Sequence, residues 1–483
     1  MNWTNISDRE TNDGGITHLS DEQFQKIHAA SLEILDGIGV QLHLEEAVDL
    51  LKKAGAKVTD GNLVHVPPKL VESALSTVPK EVTLYDRSGN PVMPLGGKRC
   101  FFGPGSDCLN IIDHRTGERR EPILQDVIDG ATICDGLSNI DFVMSMVLPT
   151  DVDKSLADTY QIEAILNHTT KPVIIVSYET EGLEDAVAMA EAIVGGAEAL
   201  RQKPIITCYI NVVSGRVHNA DGLQKLLYLS GKGLPSIYIP ASNAGVTSPM
   251  TLAGAVAFDN AGVLLGVVLS QLNREGAPMI ISAMNPISLD MKTMVGPYAF
   301  PEKGFMRSVA QRYGVPTFSL AGVSDSKVVD QQAAAEAALT ILVDVLMGGN
   351  IIHDLGYLES GLTYSFAQLT ICDQIVDWVK TFFKGIEVND ETLALEDAAR
   401  VGINDTFLKT KHTRKHYRNT WYPELFERGN YSDWERKGSK PLAARAAMRV
   451  QEILNSHHPE PLSDDIQMQI KEIVEQRVEK SRS

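Results

Sequence analysis

Eight short apolar runs end in residues that could do chemistry: CFFGPG (100–105), DFVMSMV (141–147), PVIIVSY (172–178), PIITCYI (204–210), SIYIPA (236–241), PMIISAM (278–284), PTFSLAG (316–322) and NIIHDLG (350–356). In order, their ends carry Gly105-Ser106-Asp107, Met144-Ser145-Met146, Tyr178-Glu179, Asn211, Ser242-Asn243-Ala244, Met284-Asn285, Ser324-Asp325-Ser326-Lys327, and His353-Asp354 followed by Tyr357 and Glu359. A divalent metal needs three or four converging His, Cys, Asp or Glu ligands. Among the histidines only His353 stands at a run's end, no cysteine pair has ligand spacing, and His412 and His416 lie far downstream without an HExxH pattern. The stretch Gly322-Val323-Ser324-Asp325-Ser326 lacks the second glycine of a nucleophile elbow. No GxxxxGK[ST] cradle for phosphate is present. Aromatic residues crowd the same positions: Phe101, Phe102, Tyr178, Tyr298, Phe300, Tyr357, Tyr364 and Phe366. Ring faces attract cations, so these residues tilt the expectation toward a methylated, positively charged ligand.

The elements that must position these residues follow a strand–helix rhythm. Between the apolar runs lie helical patterns such as Leu124–Leu137, Ser155–Leu166, Gly182–Ile193 and Leu252–Leu272. Near-continuous apolar strands, each followed by a crossover, fit a parallel sheet covered on both faces. The fold class expected is α/β, a (β/α)8 TIM barrel over residues 98–385. Its rival, an open doubly wound sheet, should carry GxGxxG after the first strand, and that motif is missing. An N-terminal, mainly helical segment is expected over 1–97, opened by a Ser20/Gln23 capping box and ended at Gly37 or Gly39. Residues 386–483 read as a C-terminal helical extension, with a last amphipathic helix through Ile466, Ile470 and Val474.

Composition limits the partners. The 483 residues carry a net charge of −18, with no block of Lys/Arg, so nucleic acid is excluded as a partner. The longest apolar stretch, Ala261–Leu272, is too short for a bilayer, and the polar opening residues do not form a secretory leader. Five scattered cysteines without a CxxC pair suggest free thiols in a reducing cytoplasm.

Three long segments carry a resemblance: GVTSPMTLAGAVAFDNAGVLLGVVLSQL (245–272), DSKVVDQQAAAEAALTILVDVLMGGNIIHDLGYLESGLTYSFAQL (325–369) and KHTRKHYRNTWYPELFERG (411–429). They resemble the trimethylamine methyltransferase superfamily, over nearly the whole chain. The resemblance implies a barrel that demethylates an amine and passes the methyl group to the Co(I) of a separate corrinoid protein. No tightly bound cofactor is then expected, because cobalamin is carried by that partner. The founding enzymes insert pyrrolysine in the barrel. This chain has twenty ordinary residues throughout, so it is similar to the branch acting on quaternary amines such as glycine betaine. A quaternary ammonium leaves as a neutral amine, so the reaction needs positioning more than acid catalysis.

On that reading His353 is the first catalytic candidate, orienting the substrate or touching the corrinoid as ligand or hydrogen-bond partner. Phe102, Tyr178, Tyr357 and Phe366 are expected to wall the ligand. Asp325 and Glu359 are expected to face the ammonium, with helix capping as their alternative use. Asn211 and Asn243, with Ser242, Lys327 and Arg307, are candidates for a substrate carboxylate. Other N-methylated donors, a tertiary amine among them, stay open, as does a betaine-binding partner of the corrinoid protein that has lost turnover. The helical stripes of the extension suggest a homo-oligomer.

Overall fold

The structure, a computed structural model, describes residues 19–299 and 304–481. Seven parallel strands, numbered along the chain, form its centre: β1 (Phe101–Pro104), β2 (Val173–Ile175), β3 (Ile206–Val212), β4 (Ser236–Pro240), β5 (Met279–Ser282), β6 (Thr317–Leu320) and β7 (Ile351–Leu355). Their spatial order is β1-β7-β6-β5-β4-β3-β2. The remaining gap, between β1 and β2, is filled by residues 141–147. Asp141 N–H donates to Phe102 O at 2.6 Å, and Val143 N–H and O bond to Pro172 and Ile174 across 3.0 and 2.9 Å. The sheet therefore closes into the expected (β/α)8 barrel. The eighth stretch departs from a regular strand for a local reason. The Asp141 carboxylate takes the Phe102 N–H at 2.8 Å, and Met146 adopts φ +62°, which breaks the ladder.

Period-two alternation sends Phe101, Phe142, Ile174, Ile237, Ile280, Phe318 and Ile351 into one buried interior cluster. Val82, Leu84, Met93 and Leu95 join it from a hairpin, Val82–Tyr85 with Pro91–Leu95. Tyr85 and Arg87 of that hairpin bond to Pro204 and Thr170, which precede β3 and β2. The hairpin thus stoppers the end where the strands begin, and ligands can enter only where the strands finish.

The N-terminal segment interleaves three helices (Asp21–Glu33, Glu45–Lys53, Pro68–Thr77) with short strands. Ser20 and Gln23 form the expected capping box, and Gly39 at φ +88° ends the following turn. Asp21–Glu33 and Pro68–Thr77 pack on Leu252–Asn273, a helix apolar on every side. That helix has 22 residues, longer than its apolar core suggested, and is long and apolar enough to cross a bilayer. Here its faces are covered by protein. Ser31 donates to Ala257 O at 2.9 Å, and Asn260 to the Ser31 and Tyr313 hydroxyl oxygens, also at 2.9 Å. At the other end of the chain, Asp464–Ser481 buries Ile470 and Val474 as its stripe predicts, and packs on Ala157–His168 and Thr180–Val194.

Asp259, inside the apolar helix, ties down two loops at the open end. Its carboxylate accepts the Ser242 hydroxyl and N–H, and burial pushes its pKa up to about 7. A carboxyl whose folded value lies above its unfolded one stabilises the fold at low pH and loses that contribution as pH rises through about 7. Thermal melts should therefore show wild type losing more Tm than Asp259→Asn between about pH 5 and about pH 8. Parallel pH profiles would refute this.

Candidate active site

β7 reads inward at Ile351 and His353, with Ile352 turned to the helix layer. His353 lies over the Phe318 ring, centroids 4.1 Å apart, with Tyr209 at 6.1 Å. Its Nδ1 is 2.7 Å from Ser319 O, which only accepts, so Nδ1 carries a hydrogen. Its Nε2 is 3.2 Å from Asp354 Oδ1. The Nδ1 contact fixes the plane of the imidazole and sets its other nitrogen beside the Asp354 carboxylate.

A second carboxylate stands nearby. Asp107 follows β1, and its Oδ1 accepts from Ser145 Oγ at 2.6 Å and from Gln161 Nε2 at 3.3 Å. The Tyr178 phenol stands close enough to feel the charge of Asp107. Burial raises the Asp107 pKa above the usual carboxylate range, and the Ser145 and Gln161 hydrogen bonds only partly restore it. The Tyr209, Tyr298 and Tyr357 phenols are pushed up first by burial and then by the negative charge of Asp354, joined at Tyr209 and Tyr357 by that of Asp107. Asp107, Met146 and Asp354 all hold left-handed backbone, at φ +58°, +62° and +77°. Such conformations cost about 1–3 kcal/mol each and persist where the surroundings impose them. Gly105 is the thin wall between the groups. An added Cβ would lie 2.2 Å from Asp354 Oδ1 and 2.3 Å from Tyr357 Cζ.

Several candidates from the sequence meet here. His353 and Tyr357 are central, although the Tyr357 hydroxyl is already bonded to Ser106 O and N–H. Tyr178 stands on the rim, 42% exposed. Asn211 shares the inward face of β3 with Tyr209 and is exposed at the mouth.

Others serve the fold. Phe102 and Phe366 do not wall the site. Phe102 is buried in the helix-side cluster, with Lys380 Nζ 5.5 Å from its ring, because alternation turns Phe101 inward instead. Phe366, at a helix start, packs on Tyr364 and His114. Glu359 is held by Arg119 at 3.0 Å and by the Thr363 hydroxyl at 2.5 Å. Asp325 accepts Tyr298 N–H at 2.9 Å and Ser360 Oγ at 2.8 Å, so it sets the tyrosine loop rather than facing the ligand. Asn243 is exposed, and its carbonyl collects the N–H groups of a turn. Ser242 is engaged with Asp259. Arg307 is buried against Asp344 at 2.7 Å, and Lys327 caps Asp325 O at 2.7 Å. Phe300 lies outside the described residues.

Sequence reasoning named Tyr298 only as one of the rim aromatics and assigned no role to Asp107, Ser145, Gln161, Tyr209 or Asp354. Asp107, Ser145 and Asp354 stood at strand ends, and the inward face of β3 could have signalled Tyr209. Gln161, in mid-helix, offers no such signal.

The structure is a closed parallel barrel with acids, tyrosines and one histidine gathered at its open end. The chain belongs to the trimethylamine methyltransferase (MTTB) family, which matches residues 4–481. The trimethylamine methyltransferase MttB of Desulfitobacterium hafniense (strain DSM 10664 / DCB-2) is 32% identical over 467 residues, 96% of this chain and 94% of that protein. The glycine betaine methyltransferase of Desulfitobacterium hafniense (strain Y51) is 29% identical over 466 residues, 95% and 96% of the two. Among solved structures, the monomethylamine methyltransferase MtmB of Methanosarcina barkeri is 12% identical with a TM-score of 0.49, covering 92% of this chain and 89% of that one.

Proposed function

We propose that this chain moves a methyl group from a quaternary amine, glycine betaine foremost, to the Co(I) of a corrinoid protein. The observation that carries the reading is the mouth itself, where Tyr178, Tyr209, Tyr298 and Tyr357 gather with the carboxylates of Asp107 and Asp354. Ring quadrupoles and carboxylates both favour an ammonium, and the more so when water is excluded. In the displacement the C–N bond breaks, its electron pair stays on nitrogen, and the methyl carbon bonds to cobalt, which goes from Co(I) to Co(III). The amine leaves neutral. Family membership supports methyl transfer from a methylated amine, and the glycine betaine enzyme among the relatives supports the quaternary class.

A tertiary amine is the second reading. It is favoured by the His353–Asp354 pair, an acid–base couple that could deliver a proton to the leaving nitrogen, and by trimethylamine enzymes among the relatives. Self-association is part of the proposal too, resting on Phe382, Ile386, Val388, Leu395, Ile403 and Leu408, which are exposed together along the start of the extension.

The test is product analysis. Anaerobic incubation with the corrinoid acceptor and a panel of glycine betaine, proline betaine, carnitine, choline and trimethylamine should yield one demethylated amine by mass spectrometry. Dimethylglycine supports the first reading. Dimethylamine alone replaces it with the second.

A further inference from the structure

Asp107 is a partly exposed carboxylate at the barrel mouth. Some carboxylates of this chain are paired, Asp344 with Arg307 at 2.7 Å and Asp126 with Arg120 at 2.7 Å, while Asp259 is held by hydrogen bonds from Ser242. Asp107 forms no ion pair among the described residues, only hydrogen bonds from Ser145 and Gln161. Burying a carboxylate even in part is costly, and burial accordingly disfavours its charge. The placement is nevertheless enforced from several sides. Asp107 and Met146 both take left-handed backbone, Met146 N–H bonds Gly105 O at 3.0 Å, and Gln161 is anchored on Val147 O at 2.7 Å. The two donors come from separate elements, residues 141–147 and the helix Ala157–His168, so the carboxylate is aimed by tertiary structure. Tyr178 and Tyr209 supply ring surface beside it.

We propose that Asp107 is the counter-charge that recognises the substrate's methylated ammonium, with Ser145 and Gln161 as its positioning residues. This rests on the amine reading above and assigns charge selection to one side chain. His353 and Asp354, across the mouth, are left to orientation. A cation arriving at Asp107 completes an ion pair that the fold leaves half made, and the tyrosines admit methyl groups where water would otherwise compete.

The test needs no methyl acceptor. Titration calorimetry of the full chain would compare tetramethylammonium with tert-butanol, an uncharged ligand of similar size. Wild type should bind the cation at least about tenfold more tightly than the alcohol. Asp107→Asn should lose about tenfold or more for the cation and change the alcohol less than about twofold. Equal weakening of both ligands, or an unchanged preference for the cation, overturns the assignment. So does a wild-type protein that does not bind tetramethylammonium. If Asp107→Asn does not fold, Ser145→Ala carries the test, since it keeps the charge and removes the 2.6 Å hydrogen bond. It should weaken the cation several-fold and spare the alcohol, and no change in either contradicts the proposal. Cation binding that depends on Asp107, in a protein that transfers no methyl group, would sink the methyl-transfer reading and keep the subsite.

Discussion

His353→Ala should lower the methyl-transfer rate by roughly a hundredfold or more, with a smaller change in KM. The reasons are geometric. The imidazole is fixed by Ser319 O at 2.7 Å and by the face of Phe318 at 4.1 Å, and its Nε2 lies 3.2 Å from Asp354 Oδ1. Truncation removes the ring that aims Asp354 and opens space in the floor of the mouth. Because the residue is buried, a stability loss of about 2–4 kcal/mol should accompany the change. Circular dichroism and a melting curve separate that loss from the kinetic one. A folded His353→Ala protein with normal turnover would remove His353 from the chemistry.

Gly105→Ala is expected to act almost as strongly through a single methyl group. Gly105 is not among the residues with positive φ, so alanine brings no backbone strain there. The new Cβ would nevertheless sit 2.2 Å from Asp354 Oδ1 and 2.3 Å from Tyr357 Cζ. One of the two must move by more than an ångström, and a misplacement of that size costs roughly a hundredfold in rate. The expected signature is a fall in kcat/KM with a modest change in Tm. Steady-state rates that match wild type would show that Asp354 and Tyr357 have no fixed role.

The barrel was legible because its strands are apolar on both faces and regularly spaced. Boundaries held where local chemistry set them, as at the Ser20/Gln23 box. The eighth strand was legible as a pattern but not as an irregularity, since Met146 gives no sign in sequence of its left-handed backbone. Strand ends pointed to the barrel mouth, and His353, Tyr357, Tyr178 and Asn211 stand there together. Facing was the weak point. Phe101 and Phe102 cannot be told apart by type, and a one-residue phase shift decides which of them looks inward. Charges misled for a related reason. Glu359 and Asp325 were selected as free acids, whereas Arg119 and the backbone of the Tyr298 loop claim them from distant positions in the chain. Asp107 shows the converse. Its use rests on donors from two other elements, a long-range arrangement that its own neighbours do not encode.

The most direct test of methyl transfer to cobalt is anaerobic spectroscopy with Co(I) corrinoid protein, or Co(I) cobalamin in its place. On adding glycine betaine, the Co(I) absorbance should decay into that of methyl-Co(III), in step with dimethylglycine formation and only with enzyme present. A Co(I) spectrum that persists with glycine betaine and with every other quaternary amine of the panel, at enzyme concentrations where binding is demonstrated, would contradict it.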